Sequence, residues 1–405
     1  MSGSWWLQSF ASFRYATIVG VKRLLYVGLR VMGRAMKAVP GLSRLTSPQA
    51  QPLNPTLRTL HRVMFNPQGT DIKDASFSRI DCGDFDVLFS NGPLLDRRGI
   101  GRVCREQIGQ LSTLSAKSVE NPGYAQAGRR TVRFYTSVHW CPGTLPPNTV
   151  VMVHDVIPLL FPEEFSRSLV SEWRYRFRHI LRQAVHIVAI SRATAQACER
   201  VFDIPREKIS VVYNGTTVLP VAQRMDMSMP DLPYFVFLAS DDKHKNVDVV
   251  LEAMSDPAMR GVALAMIGDN RTQGCVRKVK SLGLSDRVWF MGKLSDESLG
   301  RVLVDSAGLV FPSLYEGFGL PPLEAAWLGV PSICSARPAM DETLGNAAVF
   351  CEPDDAQAWA RAMHRLAFDK QYRDDVGARA RQRVSEFNWS NSARQLLNVL
   401  GAYAK

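Results

Sequence analysis

The sequence lacks several features that mark common classes of protein. No apolar run approaches the roughly 20 residues needed to cross a bilayer, because Lys22, Arg23 and Arg30 interrupt the apolar segment near the start. No compact apolar stretch followed by a small-residue cleavage site indicates a secretory signal. The seven cysteines are scattered, with no Cys-x-x-Cys pair and no Cys/His cluster at zinc spacing. We therefore expect reduced, mostly buried thiols.

Acidic residues are missing from the first 70 positions, which contain nine Lys or Arg. The other 335 residues therefore carry only +2 of the formal charge of +11, so the high isoelectric point does not indicate a nucleic-acid-binding surface on the globular part. At 405 residues the chain is long enough for two domains.

The basic segment has a helical pattern between Phe13 and Lys37, with one apolar side: Ile18, Val21, Leu24, Leu25, Leu29, Met32 and Met36. Trp5, Trp6 and Phe10 precede it and suit a membrane interface. We expect a basic amphipathic helix within residues 1–40 that attaches to an anionic membrane surface. Two alternatives remain open, which are a helix docked on the protein itself and an organellar transit peptide.

From Asp86 onward short apolar strands alternate with helices, which predicts parallel sheets buried on both faces. The expected strands are Asp86–Phe89, Arg133–Tyr135, Val150–Val153, Ile187–Ile190, Ile209–Val212, Tyr234–Leu238, Ala263–Ile267, Val288–Phe290 and Gly308–Phe311.

The stretch 218–233 contains three prolines and no helical period, so it indicates a linker. The predicted organisation is an α/β protein with two Rossmann-like, doubly wound domains that face a cleft. Its divisions are a basic N-terminal segment and tether over residues 1–70, a first domain over 71–220, a second over 221–385, and a final helix over 386–405 that crosses back to the first domain.

The most informative segment runs from Pro312 to Ala326, directly after the expected strand that ends at Phe311. Ligands of such sheets bind at the carboxyl ends of the strands. The glycine-containing loop is followed by prolines at a helix start, where free N–H groups and the positive end of the helix dipole suit a diphosphate. Glu316 in the loop is expected to bind sugar hydroxyls, and Glu324 in the first helical turn to reach a ribose. Alternatively, Glu316 is a solvated loop acid and Glu324 only complements the dipole.

Three other segments follow strands or flank the same cleft. Lys245 precedes a helix and is a candidate for neutralising phosphate charge, although it could equally be a surface lysine. His154 follows the Val150–Val153 strand and is a candidate for contacting the donor sugar or the reacting hydroxyl, with a purely structural role as the alternative. The Gly99-Ile100-Gly101-Arg102 loop is a fragment of a dinucleotide fingerprint.

In this order, the segments resemble the family-4 retaining glycosyltransferases of the GT-B architecture, from about Asp86 to Leu400. The resemblance rests on Gly99–Arg102, Val153–Asp155, Ala189–Ser191, Lys208–Ile209, Tyr213–Gly215, Lys245–Asn246, Asp286–Gly292, the Glu316 and Glu324 pair, Gly329–Pro331 and Phe387–Trp389.

The resemblance implies roles for the candidate residues. Glu316 and the backbone of Gly317–Leu320 would contact the donor sugar and its phosphates, and Glu324 would contact the ribose. Lys245 would bind the diphosphate, His154 would lie beside the transferred sugar, and Gly101 would line the donor site. It further implies retention by front-face attack, with the leaving phosphate taking the acceptor proton, and no requirement for a metal or other cofactor.

One position departs from the family pattern. Ser240 stands where the family commonly has an arginine or another small polar residue. If an arginine there normally shares the diphosphate, Lys243 and His244 are the candidates to substitute for it. The Asp84-Phe85-Asp86 segment is interpreted as a strand boundary and not as a metal site.

The sequence thus predicts a retaining hexosyltransferase that moves mannose or rhamnose from a nucleotide-diphosphate sugar to a saccharide or lipid-linked saccharide in surface polysaccharide biosynthesis. We expect it in the cytoplasm, peripheral on the inner face of the cell membrane. The alternative is a catalytically silent nucleotide-sugar-binding subunit of a polysaccharide assembly complex.

Overall fold

The computed structural model of the protein describes residues 77–96, 99–115, 128–224, 231–238, 240, 242–268 and 270–405. The predicted amphipathic helix and tether lie outside these residues. Within them, no helix is both long and apolar enough to cross a membrane.

The first half contains a six-stranded sheet whose strands lie side by side in chain order. They are β1 (Phe77–Asp81), β2 (Phe85–Ser90), β3 (Arg130–Tyr135), β4 (Thr149–Val153), β5 (His186–Ala189) and β6 (Ile209–Val211). All neighbours are parallel except β1, which pairs antiparallel with β2. The sequence did not predict β1. Its Arg79 forms a buried ion pair with Asp86 of β2 at 3.1 Å, which places the second aspartate of the Asp-x-Asp segment inside a strand.

The helices of the first half are α1 (Gly99–Ser115), α2 (Ile157–Leu160), α3 (Arg167–Gln183) and α4 (Arg192–Phe202). Ser166 and Ser191 cap α3 and α4, because each hydroxyl accepts a backbone N–H of the first turn. One sheet face packs on Ile108 and Leu111 of α1, and the other on Phe177 and Phe202. Because α1 begins at Gly99, Gly99–Arg102 forms its first turn, and the prediction of a loop there was wrong.

The second half contains a parallel sheet formed by β7 (Tyr234–Leu238), β8 (Ala263–Ile267), β9 (Val288–Gly292), β10 (Gly308–Phe311), β11 (Ser332–Ser335) and β12 (Val349–Cys351). Their order is β12-β11-β10-β7-β8-β9, so the strand order reverses between β10 and β7. This order is that of a dinucleotide-binding Rossmann domain. With the first sheet, it confirms the predicted α/β fold of two parallel-sheet domains.

The helices of the second half are α5 (Val247–Met254), α6 (Gln273–Ser281), α7 (Asp296–Val304), α8 (Leu320–Trp327), α9 (Pro338–Leu344), α10 (Ala356–Phe368), α11 (Lys370–Val384) and α12 (Trp389–Tyr403). α8 begins after Gly319, whose φ is +89°, and ends before Gly329, whose φ is +73°. Glu324 is thus the fifth residue of α8, in its second turn, and the prediction of the first turn was wrong.

The chain returns to the first half at its end. α12 packs on α1, and Thr131 of β3 exchanges two backbone hydrogen bonds with Lys405, at 2.8 and 3.3 Å. All seven cysteines are free, and all except the half-buried Cys82 are buried, which confirms the expectation of mostly buried thiols.

The two halves also meet at a very close backbone contact. The carbonyl oxygen of Gly317 accepts hydrogen bonds from Ser191 Oγ at 2.6 Å and Thr194 Oγ1 at 3.2 Å. A Cβ atom on Gly317 would lie 2.0 Å from the carbonyl oxygen of His154. Only glycine therefore allows this approach.

We expect Gly317→Ala to lower the free energy of unfolding by about 1–3 kcal/mol, because the added methyl group must push two backbones apart. Denaturant unfolding measures this change. Gly109→Ala is the matched control, since Gly109 is an exposed glycine of α1 with open space around its Cβ position. Helix propensity should make the control slightly more stable, and equal effects of both substitutions would contradict the steric argument.

Candidate active site

The candidate site lies where the strand order of the second sheet reverses. β7 and β10 are neighbours there, and the segments that follow them carry Lys245 and Glu316. Connections from such neighbouring strands diverge to opposite sides of a sheet and leave a crevice at their carboxyl ends. The described residues line a cleft of about 280 Å³ at this place, between the two halves.

Glu316 lines the cleft and forms an ion pair with Lys245 beside it, with Lys245 Nζ 2.7 Å from Glu316 Oε1. Their side chains are only 20% and 14% exposed, so the pair is shielded from bulk water. A carboxylate at this position can accept hydroxyl hydrogens, and the ammonium group can bind an anion. The structure therefore brings these two predicted residues together.

Gly317, Phe318, Gly319 and Leu320 line the cleft next to Glu316. Phe318 is 3% exposed, and its ring packs against the rings of Tyr213 and Phe387, so it anchors the loop. Gly319 adopts a left-handed conformation directly before α8. The loop thus delivers backbone groups and the positive end of α8 to the cleft, as an anion site requires.

Glu324 lines the same cleft and is 6% exposed. Its Oε1 lies 2.9 Å from Nη1 of Arg102, which comes from α1 in the other half. Burial raises the pKa of Glu324 to about 7, against the opposing effect of the Arg102 charge. This carboxylate is therefore poised between its two protonation states near neutral pH.

His154 is 5% exposed, and its Nε2 lies 2.7 Å from the carbonyl oxygen of Thr136. Because a carbonyl can only accept, Nε2 carries the proton and donates it. Burial lowers the pKa of His154 to about 4, so the ring is neutral near pH 7. Nδ1 is then an acceptor, which suits contact with a hydroxyl group.

Asp155, next to His154, also lines the cleft and was not predicted as a site residue. Burial raises its pKa, and the Glu316 charge adds to the effect, while the Ile157 N–H, Lys245 and His244 oppose it. The carboxyl groups of Asp155 and Glu316 therefore both line the cleft, and the charge of one affects the other.

Gly101 is not among the residues that line the cleft, unlike Gly99, Ile100 and Arg102. A Cβ atom on Gly101 would lie 1.8 Å from the carbonyl oxygen of Asp96, so this glycine allows close packing at the start of α1. Its predicted contact with the donor remains a prediction, while the adjacent Arg102 supplies the charged group.

Asn214 is a second residue that the sequence reasoning left without a role. It is 1% exposed, lines the cleft, and accepts a hydrogen bond from Nε2 of Gln107 at 3.4 Å. Its own Nδ2 has no partner among the described residues. Its position shortly after the predicted strand Ile209–Val212 was the available signal, but its burial and its contact with Gln107 of α1 depend on tertiary packing.

His244 is one of the two candidates to replace the missing arginine. It is buried, and both its backbone N–H and its ring bond Glu164 of the first half. Lys243 is exposed. His244 is therefore already bonded to Glu164.

The described part of the chain contains no group of three or more potential metal-ligating side chains.

Comparisons with known proteins agree with this geometry. The family model of glycosyl transferases group 1 matches residues 228–383, and that of glycosyltransferase family 4 matches residues 131–218. The chain is 25% identical over 254 residues to the O-antigen chain mannosyltransferase RfbU of Salmonella typhimurium, covering 62% of this chain and 69% of RfbU. It is 30% identical over 274 residues to a serotype-specific mannosyltransferase, WbdA, of Escherichia coli, covering 62% of this chain but only a third (33%) of that protein.

Solved structures show the same fold at low sequence identity. HepE from Anabaena, in complex with UDP and glucose, has a TM-score of 0.56 at 19% identity, covering 67% of this chain and 77% of HepE. Sucrose-phosphate synthase from Thermosynechococcus elongatus has a TM-score of 0.57 at 20% identity, covering 83% and 87% of the two chains. With family models matched in both halves and two Rossmann-like domains around one cleft, the chain belongs to the group 1 glycosyltransferases.

Proposed function

We propose that this chain is a retaining hexosyltransferase that takes a sugar from a nucleotide-diphosphate donor and transfers it to a saccharide acceptor. The observation that carries the proposal is the Lys245–Glu316 ion pair at the strand-order reversal, whose Glu316 lines one cleft together with Arg102, Glu324 and His154. This arrangement combines cations for phosphate with acceptors for hydroxyl groups, which are the two chemical parts of a sugar nucleotide.

In the proposed reaction, the bond between the anomeric carbon and the diphosphate oxygen breaks while a bond to the acceptor oxygen forms on the same face. The leaving phosphate takes the acceptor proton. Lys245 and Arg102 stabilise the charge that develops on the diphosphate, and Glu316 and His154 hold the sugar hydroxyls. Glu324 accepts hydrogen bonds from the ribose. We further propose, as the family resemblance implies, that the reaction needs no metal.

The names of the relatives support a mannosyl donor and an acceptor in surface polysaccharide biosynthesis. A UDP-bound structural neighbour supports a nucleoside diphosphate as the leaving group. The alternative of a silent binding subunit is disfavoured, because the cleft retains both acids, each paired with a cation. Thermal-shift measurements with GDP-, UDP- and dTDP-sugars would identify the donor, since a ligand stabilises by RT ln(1 + [L]/Kd).

We expect Glu316→Ala to reduce sugar transfer by about a hundredfold or more, as for the loss of one preorganised group at a reacting centre. Product formation from the donor selected in the thermal-shift screen measures this effect. The unfolding midpoint should stay close to that of the wild type. Glu352→Ala removes an acid of the same domain whose side chain is 66% exposed, and it should retain full activity. Wild-type turnover in Glu316→Ala would overturn the assignment.

Donor binding should also depend on pH through Glu324. The free site has a pKa of about 7, and ribose hydroxyls favour the carboxylate. Affinity for the nucleoside diphosphate should therefore fall as the pH drops below 7, by at most about tenfold per pH unit. Calorimetry between about pH 5.5 and 8.5 measures this slope. Glu324→Gln should remove the part due to this residue, and an unchanged slope would contradict the ribose contact.

We further propose that residues 1–40 attach the protein to the inner face of the cell membrane, where lipid-linked acceptors are found. The support is the nine Lys or Arg and the absence of acids in the first 70 residues, because each such cation contributes about 1 kcal/mol near an anionic surface. Deletion of residues 1–40 should release the protein from phosphatidylglycerol vesicles in a sedimentation assay. Neither form should bind phosphatidylcholine vesicles strongly, and undiminished sedimentation of the deletion would refute the proposal.

A further inference from the structure

The turn that carries Lys245 is bound by a carboxylate from the other half of the protein. Glu164 follows α2 in the first half, and its Oε1 accepts the backbone N–H of His244 at 2.7 Å. Its Oε2 accepts the ring Nδ1–H of His244 at 2.8 Å. The side chains of Glu164 and His244 are only 8% and 7% exposed. Both carboxylate oxygens are therefore used, in a place where water competes little.

His244 is also bonded to the loop that carries Glu316. Its carbonyl oxygen accepts the backbone N–H of Leu314 at 2.8 Å, two residues before Glu316. Lys245 is the next residue along the chain. One residue thus connects the first half, the turn of Lys245 and the loop of Glu316.

Asn246, the residue after Lys245, fixes the other end of the turn. Its φ is +54°, and its Nδ2 donates to the carbonyl oxygens of Pro312 and Pro353 at 3.2 and 2.7 Å. These bonds lie entirely within the second half. Glu164 is therefore the member of this network whose contact depends on how the two halves meet.

We infer that Glu164 and His244 form an interdomain latch that positions the Lys245–Glu316 pair for the reaction. The inference rests on the proposed transferase function and adds two positioning residues to it. Neither residue lines the cleft, so the latch acts through the atoms that it holds. Because the carboxylate comes from the opposite half, the pair is fixed when the halves adopt the arrangement seen here.

A latch that positions catalytic groups differs measurably from a contact that only stabilises the fold. Glu164→Ala should lower kcat about tenfold to a hundredfold, since small misplacements of reacting groups cost rates of this order. The KM for the donor should change less than about threefold, because Glu164 does not contact it. A purely structural contact would lower the unfolding midpoint and leave the kcat of the folded enzyme unchanged.

Conservative variants and a neighbouring acid separate these possibilities further. His244→Asn keeps a side-chain N–H near the position of Nδ1 and should retain activity within about threefold, whereas His244→Phe fills the space without that donor and should resemble Glu164→Ala. The double variant with Glu164→Ala and His244→Phe should have a kcat no lower than that of the slower single variant, as expected for residues that act through one contact. Glu163→Ala is the control, because Glu163 is exposed and next to Glu164.

The decisive measurement is steady-state kinetics of these variants with the donor that the wild type uses, alongside their unfolding midpoints. A kcat of Glu164→Ala equal to that of an active wild type overturns the latch alone. Additive losses in the double variant also overturn it. Absence of transfer by the wild type with every donor would overturn the proposed function, and the role of the latch with it. Glu164→Gln, which can still accept the His244 N–H, should be intermediate and guards against misfolding of the alanine variant.

Discussion

Among the residues that line the cleft, the carbonyl oxygen of His154 faces Gly317 with no space for a side chain between them. The hydroxyls of Ser191 and Thr194 bind the Gly317 carbonyl from the same side. Glu316 is the residue before Gly317, and the imidazole belongs to His154 itself. The backbone contact between Gly317 and His154 therefore holds these two candidate residues, one from each half, close together. The rest of the site depends on this approach, which a single methyl group would prevent.

Each acid proposed to bind the donor is paired with a cation in the structure. Glu316 pairs with Lys245 and Glu324 with Arg102, and a buried carboxylate without such a partner would be costly. A sugar nucleotide can replace both partners at once, since its phosphates bind the cations and its hydroxyls bind the acids. A ligand with phosphate alone, or hydroxyls alone, would leave one set of charges unpaired. The pairing therefore favours ligands that contain both groups.

The sequence predicted β2 to β10 because apolar runs such as Val150–Val153 are buried on both faces, and the ends of such strands locate the cleft residues. It did not predict β11 and β12, which are only four and three residues long, or β1, whose Phe77–Asp81 segment is mostly polar and is held by the Arg79–Asp86 ion pair. The sequence also predicted a loop at Gly99–Arg102, because two glycines in four residues disfavour a helix. The helix nevertheless starts there, and its close packing against the carbonyl of Asp96 requires a glycine at Gly101. Glu164 gave no signal, since its partner is 80 residues away in the chain.

The departure at Ser240 acquires a physical explanation from these contacts. Of the two residues considered as substitutes for the missing arginine, His244 bonds Glu164 and Lys243 is exposed. Arg102 is the only Lys or Arg among the described residues that line the cleft, and it belongs to the first half. Lys245 belongs to the second. If both neutralise the diphosphate, as proposed, then full charge compensation requires the two halves together, and a donor bound to the second half alone would lack one cation. The set of cations that stabilises the leaving diphosphate would then be complete only when the two halves close around the donor.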